Sequence, residues 1–157
     1  MTQFEEIYDR FENKMEAFKG YFDISEGLDI DLINERNKSI LYEAIDQFQE
    51  KIVSGQKVDF YDHDGVSFNF DLTSIEKSLL SDMMVLVAIE REASTLLETC
   101  LVLSSDAKSW SPNEGRKTFM DMWEARRLNF ENRMQKYNIR DRLTGEIIPD
   151  FDYSSLE

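Results

Sequence analysis

Thr73-Ser74-Ile75-Glu76-Lys77-Ser78-Leu79-Leu80-Ser81-Asp82-Met83-Met84-Val85-Leu86-Val87-Ala88-Ile89 opens the stretch whose reading decides the fold. Ile75, Leu79, Met83, Leu86, Ile89, Ala93, Leu97 and Cys100 recur at helical spacing, and Leu80, Val87, Leu96, Leu101 and Leu103 widen the stripe. Thr73 with Glu76 forms a capping box at its start. A helix this apolar around its circumference is expected at the centre of a bundle, touched on several sides.

Working outward, the segment after it begins with Ser111-Pro112-Asn113-Glu114, a capping box with proline at the first helical position. The helix it opens places Phe119, Met120, Trp123, Phe130, Met134 and Tyr137 on one side, with Asn138 as its stop. Upstream, Asp31 to Val53 repeats the helical pattern with Ile33, Ile40, Leu41, Ala44, Ile45, Phe48 and Ile52. Asp29 or Asp31 is its cap and Gly55 its end. Thr2 to Phe18 reads as an amphipathic helix, with Thr2 and Glu5 as a capping box and Gly20 as terminator.

Between residues 57 and 71 the period changes from 3.6 to 2. Val58 and Phe60, then Val66, Phe68 and Phe70, alternate with polar residues around Asp62-His63-Asp64-Gly65, which predicts a β-hairpin. The fold class is therefore mainly α: about four helices, one hairpin at about 57–71 and an extended C-terminal arm. Residues 1–142 form one helical domain, and residues 143–157 the arm, entered through the turn Leu143-Thr144-Gly145-Glu146.

Composition limits the function. The hydrophobic share of 41% over 157 residues suffices for one core, and two Pro with six Gly leave long uninterrupted helices. The single cysteine, Cys100, lies in an apolar run and far from the one histidine, so it reads as a buried hydrophobe. The acidic start Met1-Thr2-Gln3-Phe4-Glu5-Glu6 does not read as a signal peptide, which predicts a reducing interior. Met83 to Ile89, the longest apolar stretch, is too short to span a bilayer, so no membrane contact is expected.

Asp62-His63-Asp64-Gly65 is the first place to look for chemistry. Set with Gly65 at the sixth position of a calcium loop, Phe60 falls where the first acidic ligand must stand. His63 lacks further His or Cys ligands, and a solvated turn histidine is expected. No phosphate loop, nucleophile elbow or Cys-His cluster is present. The expectation is that the chain is no enzyme, with no catalytic residue, no metal site and no cofactor. An acidic active site at Asp62 and Asp64 is the enzymatic alternative.

The net charge of −14 is unevenly placed. Residues 1–106 hold nine basic and 23 acidic residues, which is the whole surplus, whereas residues 108–142 hold nine basic and five acidic. The acidic part repels nucleic acid, and the basic helix can pair with an acidic surface of its own domain or of a second copy. The end of the chain, Ile147-Ile148-Pro149-Asp150-Phe151-Asp152-Tyr153, is too apolar for water. Each large side chain buried contributes roughly 1.5–3 kcal/mol, so the arm folds back on its domain or docks on a neighbour.

The helix 73–103, the Ser111-Pro112-Asn113-Glu114 helix start and the tail Arg140-Asp141-Arg142-Leu143-Thr144-Gly145-Glu146 with Asp150-Phe151-Asp152-Tyr153 resemble in layout the small neck proteins of tailed bacteriophages. These are the head-to-tail connector or adaptor family, and the likeness covers roughly residues 73–157. It implies a virion component assembled in the host bacterial cytoplasm. It also implies a homo-oligomeric ring bound to portal or tail proteins, with DNA passing through without specific binding. Carboxylates would suit such a channel, because a basic wall holds phosphates. The partner-binding residues expected are Arg126, Arg127, Arg133, Arg140, Ile147, Ile148, Phe151 and Tyr153. The alternative function is an acidic DNA mimic that inhibits a host DNA-binding enzyme.

Overall fold

A computed structural model describes residues 1–18, 29–53, 58–106 and 112–149. In chain order the elements are β1 (Thr2–Gln3), α1 (Glu5–Met15, extended by a 3-10 turn to Phe18), α2 (Ile30–Glu50), β2 (Ser67–Phe68), α3 (Ser74–Asp106) and α4 (Pro112–Asn138). The chain is mainly helical, as its sequence pattern predicts, with one small antiparallel strand pair among the described residues. No helix among the described residues is long and apolar enough to cross a membrane.

α3 is the axis of the bundle, and α1, α2 and α4 all pack on it. Met83 through Ile89 is buried on every side of the helix, together with Leu79, Leu80 and Ser81. A helix can hide its whole circumference only when neighbours surround it, which explains the width of its apolar stripe. Its start is the expected capping box: Glu76 N–H donates to Thr73 Oγ1 at 3.3 Å, and Thr73 N–H to Glu76 Oε2 at 2.7 Å. Ile75, expected in the stripe, is instead 54% exposed. It stands in the first turn, on a different side of the helix from the buried Glu76.

α2 begins at Asp29, whose carboxylate accepts from Leu32 N–H at 2.9 Å. Ile40, Leu41, Ala44, Ile45 and Phe48 form its buried face. From α1, Ile7, Phe11 and Met15 join the core, as does Phe18 from the following turn. α4 contributes Phe119, Phe130, Met134 and Tyr137, while Met120, expected beside them, is 40% exposed. The side chains of Ala93, Leu96, Leu97, Cys100, Leu101 and Leu103 lie outside the described residues, as do Gly20, Gly55, Trp110 and Ser111.

The N-terminus departs from expectation. Thr2 does not cap α1; the residue before the helix is Phe4, with no side-chain cap. Thr2 Oγ1 accepts from Leu72 N–H at 2.9 Å, and Thr2–Gln3 forms the strand opposite Ser67–Phe68. Phe4 is drawn into the core, its ring 5.0 Å from that of Phe68.

The turn at 62–65 does fold the chain back. Asp64 N–H donates to Ser67 O and Asn69 N–H to Asp62 O, and His63 bridges to Phe68. The limb Val58–Phe60, however, makes no ladder with Val66–Phe70. The Gln49 side chain takes the place of a strand: its Oε1 accepts from Phe60 N–H at 3.1 Å and its Nε2 donates to Val58 O at 3.4 Å. Phe60 is thereby held in the core against Phe48, ring centroids 5.0 Å apart.

Candidate protein-binding surface

Two polar arrangements fix the surface of the α3–α4 pair, and each starts from a carboxylate that an apolar helix cannot bury alone. The first is Glu76, fully buried in the opening turn of α3. Beside its capping bond it accepts from Tyr137 Oη at 2.7 Å and from Arg142 Nε and Nη2 at 2.5 and 3.0 Å. Arg142 also donates to Asp71 O at 2.6 Å and lies over the Phe70 ring. A buried carboxylate held by a guanidinium fork and a phenol is fully satisfied, and the arrangement ties α3, α4 and the 70–72 loop together. Burial first, and then donation to Glu76, holds the Tyr137 hydroxyl well above the ordinary phenol range.

Arg142 anchors the segment that follows α4. Residues 139–148 form a short hairpin: Asp141 N–H donates to Glu146 O at 2.7 Å, and Ile148 N–H to Ile139 O at 3.0 Å. Asp141 accepts from Leu143 N–H, Thr144 N–H and Thr144 Oγ1, an Asx-type turn that holds its carboxyl below the usual range. Gly145 closes the turn at φ +72, where residues with a Cβ are strained. On this fixed frame Leu143 is 80% exposed and Ile147 56% exposed, with Ile75 at the same end of the bundle.

The second arrangement centres on Asp82, a carboxylate in the midst of the most apolar helix. Lys14 Nζ lies 2.7 Å from Asp82 Oδ1 and donates to Ser81 Oγ at 2.7 Å and Ser78 O at 2.8 Å. Arg133 forms an ion pair with the other oxygen of Asp82 and donates to Ser78 Oγ at 2.9 Å. Burial pushes the Lys14 ammonium below its ordinary value, with Asp82 opposing and Arg133 and Arg126 adding to the shift. Beside this row a cleft of about 320 Å³ opens between α3 and α4, lined by Asp82, Leu86, Ala125, Arg126, Asn129 and Phe130.

The cations expected to bind partners are largely engaged within the chain. Arg133 holds Asp82; Arg127 pairs with Glu131 at 2.8 Å and lies over Trp123. Arg140 donates to Gly145 O at 2.9 Å. Arg126 stacks on Phe18, 5.0 Å from its ring centroid, and makes no ion pair among the described residues. Ile147 is exposed, Ile148 half-buried, and Phe151 and Tyr153 lie outside the described residues.

No motif marks Asp82, Lys14 or Arg142, and the capping box that marks Glu76 does not announce its ion pair with Arg142. A lone carboxylate within Leu79–Ile89 was the available signal, since such a group must find a cation. His63 is likewise not a solvated turn residue. Its ring stacks on Tyr42 at 5.3 Å and meets Phe4 edge-on at 5.4 Å, and its buried Nδ1 has no hydrogen-bond partner among the described residues. Asp62 accepts from Asn69 Nδ2, and Asp64 from Val66 N–H and Ser67 N–H, so both carboxylates shape the turn. No family model matches the chain, and neither a curated protein nor a solved structure matches it.

Proposed function

We propose that the chain is a non-catalytic assembly protein that binds other polypeptides through the end carrying the 139–148 hairpin. In its specific form the reading is a head-to-tail connector subunit of a tailed-phage particle, ring-forming and assembled in the host cytoplasm. The observation that carries the binding role is a closely hydrogen-bonded turn that exposes apolar side chains. A buried ion pair and an Asx turn hold the hairpin still, yet Leu143 and Ile147 are presented to solvent. A fixed turn displaying apolar side chains loses little entropy when a partner covers it.

The connector role is supported by the layout similarity and by the charge pattern, with acidic residues suited to a wall along which DNA slides. Because Arg127 and Arg133 are paired in their own chain, the intersubunit contact on this reading is apolar first and ionic second. Light scattering at micromolar concentration tests it. The expected result is a species several times the 18.5 kDa chain, reduced in mass by Leu143→Glu with Ile147→Glu. A single-chain mass at every concentration, with no capture of portal or tail proteins, would overturn it.

A second reading, the acidic DNA mimic, is favoured by the exposed carboxylates Asp9 and Glu16 on the α1 segment and Asp31, Glu35, Asp46 and Glu50 on α2. Displacement of DNA from a host nuclease or polymerase, unaffected by the Leu143 and Ile147 changes, would select it over the first.

A further inference from the structure

We infer that the α3–α4 cleft is a receptor for an acidic-aromatic peptide, and that its occupant is the segment Asp150-Phe151-Asp152-Tyr153 of a second copy of the chain. The inference rests on the assembly reading and names the contact that would join the copies.

The cleft has two kinds of wall. Leu86 and Phe130 give it an apolar floor, and Arg126 and Asn129 stand one turn apart on α4 at its rim. The cations at Asp82 and at the cleft outnumber the one carboxylate that lines it, although the chain as a whole is strongly acidic. Asp82 is already neutralised by Lys14 and Arg133, which together bring one charge more than it offers. Arg126 adds another, with one face of its guanidinium on Phe18. An aromatic side chain on the floor and a carboxylate at Arg126 match this surface, and a volume of about 320 Å³ admits side chains of that size. Asp150-Phe151-Asp152-Tyr153 alternates the two chemistries.

Reach favours a second copy over the same chain. Ile148 is tied to Ile139, and Arg126 lies 13 residues before Ile139 in sequence. That separation is about 20 Å along a helix at roughly 1.5 Å per residue. Asp152, four residues past Ile148, spans at most about 14 Å of backbone, so the same chain could bring it to Arg126 only with its arm stretched fully back along α4. Side chains on a helix tilt toward its N-terminus, which carries the Arg126 guanidinium still further from Ile139. Another copy meets no such limit.

A fluorescent peptide of residues 149–157, titrated into the full chain and followed by anisotropy, tests the assignment. Saturable binding that weakens with salt is expected, as is a fall in the chain's oligomeric mass under excess peptide. Arg126→Glu should weaken binding on the order of tenfold, and a peptide carrying Asp152→Lys should restore it. This peptide change cannot disturb folding. An oligomer that persists while no peptide binds, or binding indifferent to both charge reversals, overturns the inference and leaves the assembly reading intact. Peptide binding by a chain that never self-associates supports the cleft and overturns the assembly reading instead.

Discussion

Arg142 reaches back 66 residues to hold Glu76, a carboxylate with no exposure at all, through contacts of 2.5 and 3.0 Å. The pair joins the segment after α4 to the first turn of α3, so the hairpin beyond it has a foundation in the core. Removing one member of a buried pair strands the other. Arg142→Ala is therefore expected to destabilise the chain by about 3–5 kcal/mol. Tyr137→Phe removes a charge-assisted bond and is expected to cost about 1.5–3 kcal/mol. Because both act on one carboxylate, their effects should not add. Urea unfolding of the single and double variants checks this. An Arg142→Ala loss within experimental scatter of zero would show that the pair contributes nothing to stability.

Alkaline pH probes two parts of the chain through two phenols, Tyr137 at Glu76 and Tyr8 beside Phe4 and Tyr42. Burial first, and Tyr42 second, push the Tyr8 hydroxyl from 10.0 to about 12, and Tyr137 is raised as well. The folded chain keeps protons that the unfolded chain releases above pH 10.0. The unfolded state then binds fewer protons, so this stability is complete below about pH 10 and is lost as pH rises toward about 12. Lys14 works in the opposite sense. Its lowered value means the folded chain releases that proton first, which adds stability in the window just below 10.5. The expected outcome is a drop in denaturation midpoint from about pH 10 upward, flattened in the Tyr8→Phe, Tyr137→Phe double variant. Equal slopes in both proteins would exclude the phenols as its source.

The parts of the fold that could be read directly are those whose signals are local. The Thr73–Glu76 capping box, the Asp29 cap and the apolar stripes of α1 and α2 each lie within one or two turns, and each forms. The strand pair is not legible, because Thr2 and its partner Phe68 are 66 residues apart and Thr2-x-x-Glu5 reads equally well as a cap. Hydrogen bonding to Leu72 and burial of Phe4 decide the matter, and neither leaves a periodic trace. The limb Val58–Phe60 misled for a related reason: alternation reports burial on one side, whereas its backbone partner is the Gln49 amide. For the candidate surface, the basic face of α4 was visible, but which of its cations are already paired depends on Asp82, across in α3. Ile147 reads as too apolar for water, yet it is 56% exposed within the single chain; Leu143, more exposed still, reads only as turn.

Gly145 lies at φ +72 with nothing within 4 Å of the position a Cβ would take. Strain there comes from the backbone alone, and Gly145→Ala is expected to cost about 1–2 kcal/mol, with Gly145→Asn costing less. The loss should be confined to the hairpin. Amide exchange at Ile148 and Gly145 should quicken while the α3 core keeps its protection. Faster exchange throughout α3 would mean instead that the hairpin and the bundle open as one unit.

Asp82 separates a structural role for the polar row from a purely electrostatic one. Its carboxylate accepts from Lys14 at 2.7 Å and from Arg133, and only 16% of its side chain is exposed. Asp82→Asn leaves two cations facing each other with their shared anion gone, at an expected cost of about 2–3 kcal/mol. Much of that is the penalty of stranded charge. Replacing all three residues, Lys14→Met with Asp82→Leu and Arg133→Met, should therefore cost less than the single Asn change, since a matched apolar set removes the desolvation burden together with the attraction. Such a triple variant would also strip two positive charges from beside the α3–α4 cleft while leaving Arg126 in place. If its stability is kept but its oligomeric mass falls, the row serves recognition. If it unfolds more readily than Asp82→Asn, the three residues are a net source of fold stability.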